Sequence, residues 1–421
     1  MYDSRMTRRE FTRLAAVGPL RFGDGRDWFF QRRFGLFVHW GLYSIRGYHE
    51  QELYRKRLKR EEYEPLMRQF DPVKYRPAEW LDVMEQVGMQ YVCFTTKHID
   101  GFCMWDSAET DYKVTRTPYG RDVLKMLADE CRRRDVPLCL YYSVVDEHQK
   151  NYPHSGRPYE LAGPQAGDEP DLAAYLEYVR RQVRELCTGY GKVSGIWWDA
   201  NVLQVRDASM RAMIRALQPS AVINNRGFDD GDFGTPERDY DRGIEGVSVF
   251  PKPTEACESV GSQSWGFRKD EDYYSASYLK RSIQKTMAKG GNYLLNAGPK
   301  ADGTLPEKAV NVLGEVGRWY KAVEEGLTAE PAGRLTQDAR LLFTRRNKTV
   351  YLHITAEFES EAILLRPMAE RPLKATLLNT GKELEAEVAA LPKLWNQTPD
   401  RCLRLRGVPE GMAGAVVKLE F

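Results

Sequence analysis

The sequence predicts an α/β protein that ends in a smaller all-β part, and three observations carry that expectation. Short β-type runs alternate with amphipathic helical stretches from about residue 34 onward. These runs are continuously apolar, as strands are when helices cover both faces of a parallel sheet. After about residue 333 the helical patterns stop, and strand-like segments follow one another between turns. The repeat of βα units admits a (β/α) barrel or a doubly wound sheet. No G-x-G-x-x-G motif follows the first strand, which weighs against a dinucleotide-binding version.

The elements follow in order. FGLFVHW (34–40) is the first strand, and PAEWLDVMEQV (77–87) is a helix stopped by Gly88. YVCFTTKH (91–98) is a strand, 121–134 a helix and PLCLYYS (137–143) the third strand. The amphipathic stretch 171–188 leads into VSGIWWDA (193–200), and a helix at 207–217 leads into AVINNR (221–226). A less regular sixth strand is expected near GVSVF (246–250). A helix at 275–288 precedes NYLLNAGP (292–299), and 305–325 is helical again. LLFTRRNKTVYLHITA, AILLRP, KATLLNTG and AGAVVKLEF then form an antiparallel β domain. Between the third strand and its helix, 144–170 is a long Pro/Gly-rich polar loop, a type usually functional or mobile in a compact domain.

Composition sets the outer bounds. The 421 residues leave room for one barrel of about 250–330 residues and something smaller. With 62 Lys and Arg against 60 Asp and Glu, the formal net charge of +2 removes the electrostatic case for a nucleic-acid or acidic-membrane partner. Nothing approaches 18 consecutive apolar residues, so no membrane-spanning helix is expected. The seven Cys sit singly, without a C-x-x-C pair, and no His/Cys/Asp cluster has ligand spacing, so neither metal nor cofactor is expected. Cys93 and Cys139 lie in apolar runs and read as reduced core residues. Met6-Thr-Arg-Arg-Glu-Phe-Thr-Arg resembles a twin-arginine export signal, but the following apolar run from Leu14 is short and holds Gly18 and Pro19. Location, cytoplasmic or exported, stays open, as does the oligomeric state, a homo-oligomer included.

In a βα barrel the active site sits at the carboxyl ends of the strands. Those ends carry His39-Trp40-Gly41, Lys97-His98-Ile99-Asp100, Tyr141-Tyr142-Ser143, Trp197-Trp198-Asp199, Asn224-Asn225-Arg226 and Asn296. Five of the nine Trp (40, 105, 197, 198 and 265) lie at these ends or just beyond them. That clustering fits a cleft that stacks aromatic faces on sugar rings while polar groups take the hydroxyls. The competing reading is that large residues merely close the barrel top. Asp199 ends an apolar strand and is either a nucleophile or the structural partner of an Arg. Arg226, at the next strand end, fits both roles, because a nearby Arg keeps a nucleophilic carboxylate ionised. Glycoside hydrolysis needs a second carboxyl group to protonate the leaving oxygen. Glu255, Glu258 and, more distantly, Glu245 are the candidates, and position alone does not choose among them.

These strand ends resemble the α-L-fucosidase family of glycoside hydrolases (family 29). RRFGLFVHWGLYS, QYVCFTTKHIDGFCMW, RDVLKML, LCLYYS, GIWWDA, Trp265-Gly266-Phe267 and KGGNYLLNAGPKADGTLPE run in family order over roughly residues 28–326. The resemblance implies a (β/α)8-like barrel over 28–330 and a C-terminal antiparallel β-sandwich over 331–421, after an N-terminal extension of residues 1–27. It implies a retaining exo-glycosidase acting on a glycan or glycoside, with Asp199 as nucleophile and Glu255 as acid/base, Glu258 being the alternative. It implies that His39, Trp40, Glu52, His98, Tyr142, Trp198, Arg226 and Trp265 line the sugar site. The family's paired histidines become His98-Ile99, and its E-W-Y segment becomes Glu52-Leu53-Tyr54. A hydroxyl left without its partner costs about 1–3 kcal/mol. Those departures keep two further readings open: a related sugar such as an α-L-galactoside, and a non-catalytic glycan-binding protein on the same scaffold.

Overall fold

The computed structural model describes residues 20–238, 247–358, 360–391 and 400–421. Its first part is a (β/α)8-like barrel. Seven parallel strands, β1 (Phe34–Val38), β2 (Tyr91–Lys97), β3 (Leu138–Ser143), β4 (Gly195–Asp199), β5 (Val222–Ile223), β6 (Glu255–Ser259) and β7 (Asn292–Ala297), lie in the order β5-β4-β3-β2-β1-β7-β6. Segment 233–237 runs between the outer strands β5 and β6. It makes parallel bridges from Phe233 to Asn224, from Gly234 to Thr254 and from Glu237 to Cys257, and so fills the eighth strand position.

The helices start and stop where local chemistry says they should. Helix α1 (Pro77–Val87) opens on proline and ends at Gly88, whose φ of 91° is a left-handed conformation that glycine adopts freely. Helices α2 (Val123–Arg133), α3 (Leu172–Gly189) and α4 (Ala208–Leu217) are capped by Asp122, Asp171 and Asp207, each accepting a free backbone N–H of the first turn. Ser275 does the same for α5 (Ala276–Ala288), and α6 (Glu307–Leu327) closes this part.

Strand residues alternate between two cores. Phe37, Tyr91, Cys93, Cys139, Tyr141, Trp197, Cys257 and Leu294 pack together in the barrel lumen. Their neighbours Leu36, Val92, Leu140, Tyr142, Ile196, Trp198 and Leu295 pack outward among the helices. Two buried cations brace this frame. Arg33, just before β1, donates to the carbonyls of Leu327, Met287 and Gly291 at 3.0, 2.6 and 2.8 Å, tying the ends of α5 and α6 to the barrel floor. Lys97 donates to Asp146 at 2.6 Å and to the Tyr142 hydroxyl at 2.8 Å, which anchors the start of the 144–170 loop.

The sixth strand departs from expectation. Residues 247–250 form no strand, and β6 is the run Glu-Ala-Cys-Glu-Ser. Two carboxylates in five residues hide the apolar signature of a buried strand, yet all five side chains are buried. The shift places Glu255 at the start of the strand instead of beyond its end.

The second part is a β-sandwich. Strands β8 (Glu330–Pro331), β9 (Leu341–Arg346), β10 (Thr349–Ile354), β12 (Lys374–Leu377), β13 (Lys382–Glu383) and β16 (Ala415–Glu420) form an antiparallel sheet ordered β13-β12-β16-β10-β9-β8. Strands β11 (Ala362–Leu365), β14 (Glu385–Leu391) and β15 (Asp400–Arg406) form a second sheet ordered β11-β15-β14. Phe343, Leu352, Leu365, Leu403 and Val417 belong to the core between them. Polar bonds dock this sandwich on the last two barrel helices, from Trp319 to the Gly414 carbonyl at 2.8 Å and from Gln284 to that of Ala415 at 2.7 Å. All seven cysteines are buried. The N-terminal Arg-Arg motif lies outside the described residues.

Replacing Asp146 by Ala strips the buried Lys97 ammonium of its counter-charge. Removing one partner of such a pair costs about 3–5 kcal/mol, so urea unfolding of Asp146→Ala is expected to show a loss of that order. A loss under about 1 kcal/mol would contradict this role for the pair.

Candidate active site

The pocket forms where the lumen-facing side of the strands reaches the carboxyl end of the barrel. Phe37 and His39 reach it from β1, Tyr141 from β3, Trp197 and Asp199 from β4, and Cys257 from β6. Loops supply the rest of the wall. Glu50 and Gln51 follow β1, His98 and Ile99 follow β2, Arg226 follows β5 and Trp265 follows β6. Glu237 enters from the segment that fills the eighth position, and Tyr159 from the long loop after β3.

Asp199 is held at both oxygens. Oδ2 accepts from the Tyr141 hydroxyl at 2.8 Å, and Oδ1 accepts from Arg226 Nη1 at 3.0 Å. Burial opposes the charge, but the Arg226 guanidinium and the Tyr141 hydroxyl outweigh it and hold the carboxyl below its usual range. Arg226 is itself fixed, donating to Thr235 Oγ1 at 2.7 Å and to the Thr235 carbonyl at 2.9 Å, with its guanidinium 4.8 Å from the Trp197 ring centre. The same Nη1 donates to Glu237 Oε2 at 2.8 Å. Two carboxyl groups therefore meet at one nitrogen. Their bonded oxygens are at most about 5.8 Å apart, a ceiling that admits the separation of about 5–5.5 Å typical of retaining glycosidases.

Around this pair the wall offers acceptors. Asn296 donates from Nδ2 to Ser259 Oγ at 2.9 Å and to the Trp265 carbonyl at 2.7 Å, so its Oδ1 accepts the proton of His39 Nδ1 at 2.8 Å. His39 Nε2 is then the acceptor nitrogen, and burial lowers the imidazole pKa to about 3, keeping the ring neutral. Glu50 Oε2 accepts from Ser264 Oγ, Trp265 N–H and Gly266 N–H at 2.7, 2.9 and 3.1 Å. Its Oε1 is buried without a partner among the described residues, and so is His98 Nδ1. Burial lowers the pKa of His98, whose ring stacks on Tyr141 at 5.6 Å. Unpartnered polar atoms at a pocket wall are places where a bound hydroxyl would relieve a desolvation cost of about 1–3 kcal/mol each.

The structure brings together Asp199, His39, His98, Arg226 and Trp265, and leaves the other expected site residues elsewhere. Glu255 lies in the lumen beneath Trp197, accepting from Trp197 Nε1 at 2.9 Å and from the Tyr91 hydroxyl at 2.5 Å. Glu258 faces outward to the Tyr278 hydroxyl at 3.2 Å and to Arg238. Glu245 lies outside the described residues. Glu52 is buried against Lys56 and Arg46, with Glu50 in the pocket instead, and Leu53 is a core residue. Trp40 packs on Tyr75 and Trp80, Tyr142 bonds Gln182, and Trp198 packs edge-on to Phe228. Of the five Trp near strand ends, only Trp197 and Trp265 line the pocket.

Period-two alternation explains the exchange. With Asp199 inward, Trp197 is inward and Trp198 outward, and the register of Tyr141 opposite Trp197 puts Tyr141 in and Tyr142 out. That signal was available in the sequence for Tyr141 and Trp197. Glu237 had none, because it follows an irregular turn-rich stretch whose strand-like role depends on bridges to β6.

Glu255 titrates in a way that can be tested. Burial raises its pKa to about 7 against an unfolded value near 4.3, so the folded state binds the extra proton between those values. Stability from this group is therefore present below about pH 4 and is lost as pH rises through 7. Glu255→Gln keeps acceptor capacity and removes the titration. Its melting temperature relative to the unsubstituted protein is expected to be higher at pH 8 than at pH 5, and a pH-independent difference would contradict the assignment.

The α-L-fucosidase family pattern matches residues 20–325 of the chain. Over 412 residues the chain is 25% identical to an alpha-L-fucosidase of Dictyostelium discoideum, covering 86% of this chain and 85% of that protein. Its fold is similar to that of alpha-L-fucosidase isoenzyme 1 from Paenibacillus thiaminolyticus, at 31% identity and a TM-score of 0.79, over 94% of this chain and 98% of that one. It is also similar to a Bacteroides thetaiotaomicron GH29 alpha-L-fucosidase described as a trapped covalent intermediate in complex with 2-fluoro-fucosyl fluoride. There the identity is 25% and the TM-score 0.79, over 97% of this chain and 98% of that one. The match runs from the first described residue almost to the end of α6 and so takes in every strand that shapes the pocket; the chain belongs to the α-L-fucosidase family and is a glycoside hydrolase.

Proposed function

We propose that the protein hydrolyses terminal α-L-fucosides with retention of configuration, using Asp199 as nucleophile and Glu237 as acid/base. The observation that carries this reading is the meeting of both carboxyl groups at Arg226 Nη1 inside the pocket. In the first step an Asp199 oxygen bonds to the anomeric carbon as the glycosidic C–O bond breaks, and Glu237 gives its proton to the leaving oxygen. In the second, Glu237 takes a proton from water, whose oxygen attacks the anomeric carbon and expels the Asp199 carboxylate. The covalent intermediate described for the Bacteroides relative supports a double displacement.

The walls support a 6-deoxy sugar. Phe37, Trp197 and Trp265 form an aromatic floor, with Phe37 5.2 Å from Trp197 and 6.0 Å from Trp265 between ring centres. A methyl group packs well there, whereas the additional hydroxyl of a galactoside would be buried unpaired at about 1–3 kcal/mol. His39 Nε2, Glu50 Oε1 and His98 would take the ring hydroxyls. Neither the galactoside reading nor the non-catalytic one draws support from the comparisons. Ile99, where the resemblance leads one to expect a second histidine, lines this same pocket and narrows its hydroxyl contacts.

Asp199→Ala is expected to lower kcat/KM on 4-nitrophenyl α-L-fucoside by about 10³-fold or more. Glu237→Gln is expected to lower it by about 10²–10⁴-fold on a fucosyl disaccharide, whose leaving group needs the proton, and far less on α-L-fucosyl fluoride, whose leaving group does not. NMR of the first product should show the α anomer. A β anomer, or a Glu237→Gln loss under about tenfold on the disaccharide, would overturn the assignment.

A further inference from the structure

We infer that the leaving part of the substrate is a glycan bearing an anionic group, sulfate or carboxylate, received by Arg55, Arg57 and Lys59 in a groove beside the pocket. This rests on the fucoside reading above. The groove is large, about 1140 Å³ against about 100 Å³ for the pocket, and Gln51 and Tyr159 line both spaces. The pocket thus suits one sugar unit and the groove several. Tyr54 and the exposed Tyr159 stand at its edge with ring centres 6.3 Å apart, offering faces on which sugars stack.

The charge of the groove comes from one run. Arg55-Lys56-Arg57-Leu58-Lys59-Arg60 places five cations in six residues of a chain whose net charge is only +2. Two of the five are neutralised: Lys56 sits 2.8 Å from Glu52, and Arg60 is bound to Asp168. Arg55, Arg57 and Lys59 line the groove, exposed and without a carboxylate partner among the described residues. Arg55 Nε donates to Gln51 Oε1 at 3.1 Å, which links this charge to the pocket wall. Of the carboxylates in the lining, Glu160 is already closed by Tyr152 and Arg157, so Glu61 alone opposes the three cations. Arg57 and Tyr159 also hold left-handed backbone at φ 52° and 71°, and non-glycine outliers of this kind cluster at ligand clamps. Unneutralised cations that continue from a catalytic pocket select an anion on the part of the substrate that leaves.

The test uses three matched fucosylated trisaccharides, one neutral, one sulfated and one carrying a carboxylate sugar, together with α-L-fucosyl fluoride, whose leaving group cannot reach the groove. At low ionic strength at least one anionic substrate is expected to exceed the neutral one about tenfold in kcat/KM, a difference of about 1.4 kcal/mol, and added salt should shrink the gap. The two anionic arms tell sulfate from carboxylate. Arg57→Gln/Lys59→Gln should abolish the preference through KM and leave the fluoride unchanged. Equal kcat/KM for all three substrates at low salt, or an equal loss on neutral and anionic ones in the double variant, would overturn the inference. Failure on the fluoride strikes the fucoside reading instead. In that event calorimetric binding of the free sulfated aglycone decides the groove: retained binding that the double variant loses upholds it, and no binding overturns it.

Discussion

Two carboxylates at one guanidinium nitrogen set the terms for the rest of the site. At an effective dielectric of about 20, two ionised carboxyl groups no more than about 5.8 Å apart would repel by at least roughly 3 kcal/mol, while each lies near enough to the cation to gain roughly 5. Arg226 therefore decides whether Asp199 and Glu237 can share the pocket, although solvent at Glu237, whose side chain is 39% exposed, weakens its part. Fixing the guanidinium matters as much as supplying it. Thr235 takes two of its donors from the segment that fills the eighth strand position, and Glu237 follows two residues later in the same segment. The short stretch that completes the barrel thus also carries the second carboxyl group and the anchor of its partner.

Beneath that pair the barrel works as a stack. Glu255 holds the indole of Trp197 from below, Tyr91 holds Glu255, and the Trp197 ring stands beside Phe37, stacked on Tyr141 and covered by the Arg226 guanidinium. From the other side, three donors around Ser264, Trp265 and Gly266 fix one oxygen of Glu50 and leave the other to the pocket. Glu50 and His98, both in the pocket wall, each keep one buried polar atom without a hydrogen-bond partner among the described residues. A sugar is the kind of ligand that answers such a wall, apolar on one side and rich in hydroxyls on the other.

Much of this was legible in the sequence, and the failures share a cause. Apolar runs and helical periodicity locate six of the seven barrel strands and all six main helices, because those elements are built by hydrophobic burial. Strand β6 escaped because Glu-Ala-Cys-Glu-Ser looks polar; its carboxylates are buried on bonds from Tyr91, Trp197 and Tyr278, which are distant in sequence. With the sixth strand expected at 246–250, Glu255 reads as a residue beyond a strand end, whereas β6 begins with it. Strands β14 and β15 were missed as well, their charged residues masking a one-sided apolar pattern. Asp199, His39, His98, Arg226 and Trp265 line the pocket, and each stands at a strand end or in a loop beyond one. Trp40, Tyr142 and Trp198 also stand at strand ends, but strand alternation turns Tyr142 and Trp198 outward, and Trp40 packs on Tyr75 and Trp80. Glu52 pairs with Arg46 and Lys56, and the chain turns Glu50, two residues earlier, into the pocket wall. Glu237 depends on a bridge between segments and could not be read from either one.

The proposed role of Asp199, whose oxygen would bond the anomeric carbon, is reached directly by one measurement. Incubation with 2-fluoro-fucosyl fluoride, which forms the glycosyl-enzyme readily and releases it slowly, followed by proteolysis and mass mapping, should place the added sugar on the peptide holding Asp199, with fragmentation assigning it to that side chain. A label on Glu237 or on any other residue, or no label from an enzyme that turns over ordinary fucosides, would contradict it.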